Sequence, residues 1–126
     1  MTIHLMNNYR KLSEQEIQQL KAHSCTADDW TNIEVATEFN VDYVYHTRFS
    51  GKIRLGVFEH EFTLAGGMRK HAGLYHATLH NVTVGNHCCI ENVKNYIANY
   101  DIGDYTCIEN VDIILVDGYS KFGNGV

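Results

Sequence analysis

The chain lacks the signals that several classes of protein require. No run of about seven or more apolar residues falls between Met1 and Arg10, and no stretch approaches the roughly 20 needed to cross a bilayer, so neither a signal peptide nor a membrane span is read from it. Positive charge is in short supply. Ten Lys and Arg against fifteen Asp and Glu give a net charge of -5, and the cations are scattered, so neither nucleic acid nor a membrane surface is an expected partner. Spaced cysteine pairs of the C-x-x-C kind are missing as well. Cys88 and Cys89 are adjacent, while Cys25 and Cys107 stand apart, a pattern of reduced, mostly buried thiols in a cytoplasmic protein. Gly66-Gly67 before Arg69-Lys70 lacks the spacing of a phosphate-binding P-loop and reads as a mobile loop. What remains, at 126 residues and 44% apolar composition, is a single domain able to build a core.

Against these absences stands a repeat. Val84-Gly85-Asn86-His87-Cys88-Cys89-Ile90-Glu91-Asn92-Val93 returns 18 residues later as Ile102-Gly103-Asp104-Tyr105-Thr106-Cys107-Ile108-Glu109-Asn110-Val111, with six of the ten pairs identical. Within it, aliphatic or aromatic residues recur every six positions, at Val84, Ile90, Tyr96, Ile102, Ile108 and Ile114. Three hexads per unit predict a triangular solenoid whose coils stack about 4.8 Å apart. Like residues then form ladders: Asn92 over Asn110, and Asn81 over Asn99 and Asp117, as corner amides with a structural role. Gly85 and Gly103 relieve a corner of side-chain crowding. Glu91 over Glu109 is a like-charge pair that reads as a solvated face. The third face leaves two registers open. Either Thr78, Tyr96 and Ile114 point inward, or Leu79, Ile97 and Leu115 do.

Residues 1–40 differ from the rest and are expected to form a helical N-terminal cap. Ser13-Glu14-Gln15-Glu16 has the form of a capping box, predicting a helix to about Ala22, and Thr26-Ala27-Asp28-Asp29 offers a second start, with Trp30, Ile33 and Val35 as its apolar contacts. Residues 41–126 are expected to be coils, broken by a strand or hairpin excursion at 57–71 that ends in the Gly66-Gly67 loop. Phe122-Gly123-Asn124-Gly125-Val126 copies a coil start and stops, so the expectation is an N-terminal piece of a longer polypeptide, or an edge covered by a partner.

Val84-Gly85-x-x-Cys88, Ile90-Glu91 and Ile102-Gly103-x-x-Thr106 resemble the hexapeptide repeat of left-handed β-helix transferases. The chain as a whole, including Asn8-Tyr9-Arg10-Lys11-Leu12-Ser13, looks like the N-terminal part of a longer bacterial family carrying acetyltransferase or sugar-nucleotide pyrophosphorylase-like labels. The fold this implies is mainly β: a left-handed parallel β-helix of 18-residue coils with a short helical cap. The function it implies is acyl transfer, with acetyl-CoA as co-substrate and no bound cofactor, to a sugar or nucleotide-sugar, in a homo-oligomer with a trimer favoured. In such enzymes a His takes the proton from the acceptor. His80, which stands where Ala98 and Val116 stand in the next coils, is the first candidate, and His76 the second; His71, Asn81 and Arg69 are candidate substrate contacts. The alternative is a non-catalytic assembly or binding module attached to a sugar nucleotidyltransferase-like protein. No metal site is expected. The sets to weigh are His71, His76 and His80, or His87 with Cys88 and Cys89; metal ligands must converge, adjacent Cys88 and Cys89 point to opposite faces of a strand, and Cys89 over Cys107 reads as a ladder of small hydrophobes.

Overall fold

The computed structural model describes residues 8–122, without the side chains of Ala65 and of residues 115–122. Ser13 opens the helix α1, Glu14–Ala22. Its hydroxyl accepts from the Glu16 N–H at 3.1 Å, and the Glu16 carboxylate accepts from the Ser13 N–H at 2.9 Å, closing the capping box. Arg10 donates to the same carboxylate at 2.8 Å and holds it below the usual carboxylate range. The second helix does not form. Thr26–Ala27 is a short strand, and Asp29 caps only a single 3-10 turn at Trp30–Asn32. Ile33-Glu34-Val35-Ala36 alternates buried and half-buried side chains with the period of a strand, and that pairing prevails over helix propagation.

Among the described residues eleven strands follow one another as β1 (Tyr9–Lys11), β2 (Thr26–Ala27), β3 (Ile33–Ala36), β4 (Val44–Leu55), β5 (Glu61–Thr63), β6 (Arg69–His71), β7 (Gly73–Val84), β8 (Cys89–Glu91), β9 (Tyr96–Ile102), β10 (Cys107–Glu109) and β11 (Ile113–Phe122). Nine belong to one sheet, while β5 and β6 form a separate antiparallel hairpin. Proline is absent from the sequence, so every residue can donate its N–H to the ladders.

The expected left-handed parallel β-helix is corrected: the described residues form a mixed nine-stranded sheet with one α-helix and no closed solenoid. β1 runs antiparallel to β3, and β2 and β3 pair with β4, so residues 26–27 and 33–36 belong to the sheet. The pairing interval also varies. It is 18 residues between Ile90 and Ile108 and between Leu79 and Ile97, but 30 between Phe49 and Leu79 and 20 between Ile33 and Ile53. The hexad pattern sets register only where the two repeat copies face each other, and the hairpin at β5–β6 lengthens the preceding interval.

Register nonetheless builds the core. Val44, Leu74, Ile90 and Ile108 pair in succession, as do Val35, Leu55, Val84 and Ile102, and all eight are buried. Phe49, Leu79 and Ile97 form a third buried row, which settles the third face: Leu79 and Ile97 point inward while Thr78 and Tyr96 are half-buried, and Leu115 lies outside the described side chains. Fully burying a side chain of this size contributes about 1.5–3 kcal/mol.

Between these rows the chain bends at residues in the left-handed conformation, and the bends stack. His46, His76, Asn92 and Asn110 occupy successive strands at one bend, Gly51, Asn81 and Asn99 another, His87 and Tyr105 a third. A non-glycine residue there costs roughly 1–2 kcal/mol. Side-chain contacts along each column offset the cost: His46 stacks on His76 at 4.5 Å, Asn92 donates to the Asn110 amide oxygen at 3.2 Å, and His87 lies 5.1 Å from Tyr105.

Candidate functional site

The hairpin β5–β6 lies over the outward face of β8 and β10. Parallel register sets Glu91 beside Glu109 and Cys89 beside Cys107, and the strand period of two puts all four on one face. Lys70 of β6 donates to the Glu91 carboxylate and to Glu109 Oε2 at 2.7 Å. Burial works against its charge, but the hydrogen bonds it donates to Glu109 and Glu91 outweigh it and raise the ammonium above the ordinary lysine range. The glutamate pair is therefore bridged by a cation, where a solvated face was expected. Its signal was the repeat itself, since two identical carboxylates at neighbouring positions require a counter-charge.

Beside this bridge lies an open cleft of about 370 Å³ lined by Lys70, His71, Tyr75, His76, Glu91 and Asn92. His71 stacks on Tyr43 at 3.7 Å, and its Nδ1 donates to the Ala72 carbonyl at 2.7 Å. Burial pushes the Tyr75 hydroxyl up to about 12, so it donates at neutral pH. His76 sits at its bend against His46. Thus His71 and His76 share the cleft, and His80, Asn81 and Arg69 do not line it. Arg69 pairs with Glu61 at 3.3 Å across the hairpin.

His80 and Asn81 lie near a second depression. Asn81 Oδ1 accepts from the Lys52 N–H at 2.9 Å, which leaves its Nδ2 to donate to His80 Nε2 at 3.1 Å and to Asn99 Oδ1 at 3.5 Å. His80 Nδ1 then carries the proton and donates to Ser50 Oγ at 2.8 Å. Both ring nitrogens are engaged, and the basic one faces an amide. Asn81 also lines a groove of about 550 Å³ with Lys11, Asn32, Glu34, Lys52, Ile53, Arg54, Thr83 and Asn99, of which only Asn81 belongs to the sequence-based candidates. Glu34 is the one carboxylate in this lining and is shared by Lys11 at 3.7 Å and Arg54 at 3.1 Å. The ammonium of Lys52 has no partner among the described residues. Neither grouping was visible in the sequence, because Lys11, Glu34, Lys52 and Asn99 come from four separate strands and turns.

The comparisons with known proteins bear on the whole chain. Residues 9–126 match a family described as Domain of unknown function (DUF4954). The chain belongs to this family. A DUF4954 assignment replaces the hexapeptide-repeat transferase resemblance, since no hexapeptide-repeat or acetyltransferase family is matched. This DUF4954 chain is similar to an uncharacterized protein of Treponema pallidum (strain Nichols), 29% identical over 124 residues, covering 94% of this chain and 16% of that protein. The chain thus spans about a sixth of the length of that curated relative. No solved structure matches it. Among the described residues no helix is long and apolar enough to cross a membrane.

Proposed function

We propose that this DUF4954 domain is a non-catalytic binding module whose larger groove takes an anionic, hydroxyl-rich small molecule of the sugar-phosphate or nucleotide-sugar class. The observation that carries the reading is charge: three cations, Lys11, Lys52 and Arg54, face one carboxylate, Glu34, in a protein whose net charge is -5. A local positive site on an acidic chain selects anions. The amides of Asn32, Asn81 and Asn99 and the hydroxyl of Thr83 supply the donors and acceptors that a polyol needs, and about 550 Å³ falls within the usual range for a small-molecule site. The cysteines are free thiols, which supports a reducing, cytoplasmic setting. The activity and partners of longer relatives belong to the same proposal.

The test is calorimetric titration with a nucleotide-sugar, a sugar phosphate and the matching neutral sugar. The charged ligands bind more tightly than the neutral sugar, and Lys52→Ala weakens them about tenfold, the scale of one charge-assisted hydrogen bond. Equal affinity for charged and neutral sugars, or an unchanged affinity in both Lys52→Ala and Arg54→Ala, overturns the reading.

A further inference from the structure

We propose that Cys89, Cys107 and Glu109 form a binding site for a divalent cation of the zinc class. The site is independent of the groove, with which it shares no residue. The two thiol sulfurs and a Glu109 carboxylate oxygen all lie within 4.8 Å of one another. A tetrahedral zinc with bonds of about 2.3 Å to sulfur and about 2.0–2.2 Å to oxygen holds such ligands roughly 3.3–3.8 Å apart, so closure takes only small side-chain movements. Parallel register fixes the backbone of all three residues, with Cys89 opposite Cys107 and Glu109 two positions along the same strand.

The ligand set decides the cation. Two sulfurs and one carboxylate suit zinc and its soft neighbours and disfavour magnesium and calcium, which require oxygen ligands. Cys89 is fully buried, while Cys107 and Glu109 are exposed, so the cation enters from their side and keeps a water in its fourth position. On binding, each thiol releases its proton to solvent and coordinates as thiolate. Two thiolates, one carboxylate and a divalent cation sum to one negative charge. Lys70 compensates it: the ammonium yields its contact with Glu109 and keeps the one with Glu91.

The reduced 126-residue chain is titrated with cobalt(II), then with zinc(II). One equivalent of cobalt produces a thiolate-to-metal charge-transfer band, which zinc abolishes by displacement. Cys107→Ser, at the exposed position, removes the band with the far-UV circular dichroism unchanged, and Glu109→Gln weakens binding about tenfold or more. A reduced chain that gives no band in excess cobalt overturns the site, as does a band that survives in Cys107→Ser. Cobalt uptake without thiolate character overturns it too, by assigning the ion to the histidines. Because Cys107 is exposed and Cys89 buried, the Cys107→Ser result stands even where Cys89→Ser fails to fold.

Discussion

Lys70 Nζ stands 2.7 Å from Glu109 Oε2 while also donating to Glu91, so one ammonium on the hairpin neutralises two carboxylates that parallel register stacks on neighbouring strands. Lys70→Met removes the one cation that pairs with both among the described residues. The expected loss is about 1–2 kcal/mol of unfolding free energy, more than an exposed ion pair and less than a fully buried one. The folded pKa of Lys70 is raised, so its contribution is fully present below the ordinary lysine value of 10.5 and is lost as pH rises through the folded value. Urea melts of both proteins at pH 7, 9 and higher therefore show a constant gap up to about 9–10, closing only beyond it. A gap that closes between pH 7 and 9 refutes the assignment.

A second prediction concerns Gly85. A Cβ there would stand 2.8 Å from the Asp104 N and from the Ile102 O, both backbone atoms of the next strand and turn that cannot give way independently. Gly85→Ala is expected to cost about 2–3 kcal/mol, the range of overpacking in a tight site. Gly66→Ala makes the control: its φ is +81° but nothing lies within 4 Å of the added atom, so only the left-handed penalty applies, about 1 kcal/mol. Equal losses for the two variants in chemical denaturation contradict the steric account.

These residues mark what the sequence disclosed. Cys89-Ile90-Glu91 and Cys107-Ile108-Glu109 are alike because they meet in register, and Asn92 with Asn110 and Asn81 with Asn99 repeat because their amides stack at bends; identity at a fixed interval reports a shared environment. The interval of 30 residues from Phe49 to Leu79 left no such trace, since residues 57–71 lie between. The antiparallel strand at Tyr9–Lys11 is too short to show a period. Several histidines also have a place in the backbone that local pattern does not disclose. His46, His76 and His87 occupy left-handed bends, a role that a sequence shows only once pairing places them beside His, Asn and Tyr of the neighbouring strands. The bridging lysine and the cationic groove depend on which strands meet, information that lies in tertiary contact and not in local pattern.

The hydrogen bonds of Asn81 fix a protonation state. With its Oδ1 taken by the Lys52 N–H, its amide nitrogen must face His80 Nε2, and the ring carries its proton on Nδ1 toward Ser50. Long-range nitrogen–proton NMR correlations of the neutral ring are expected to show this Nδ1–H tautomer, the minority form for free histidine. Asn81→Asp replaces the donor by an acceptor, so the Nδ1–H tautomer loses the contact that selects it. An Nε2–H signature in the unaltered chain contradicts the arrangement.

The last prediction separates the thiols by reactivity. Cys88 is fully buried and donates to the Gly103 carbonyl at 3.0 Å, the same oxygen that Thr106, its counterpart in the repeat, reaches at 2.7 Å. Burial pushes the Cys88 thiol up to about 12, and burial, followed by the adjacent Cys107, does the same to Cys89. Only the thiolate attacks an alkylating reagent, so at pH 8 a thiol of that pKa reacts from a fraction of about one in ten thousand, before its lack of access is counted. Cys107 is exposed, although its pKa too is raised, first by desolvation. Iodoacetamide at pH 8 is therefore expected to modify Cys107 first. Cys25, Cys88 and Cys89 follow only at the rate of local or global opening, at least about a thousandfold slower, and all four become equivalent in denaturant. Peptide mass spectrometry reads the order directly. Labelling of Cys88 or Cys89 ahead of Cys107 in the native chain means that β8 is not covered as described, and that the hairpin carrying Lys70 does not rest on it.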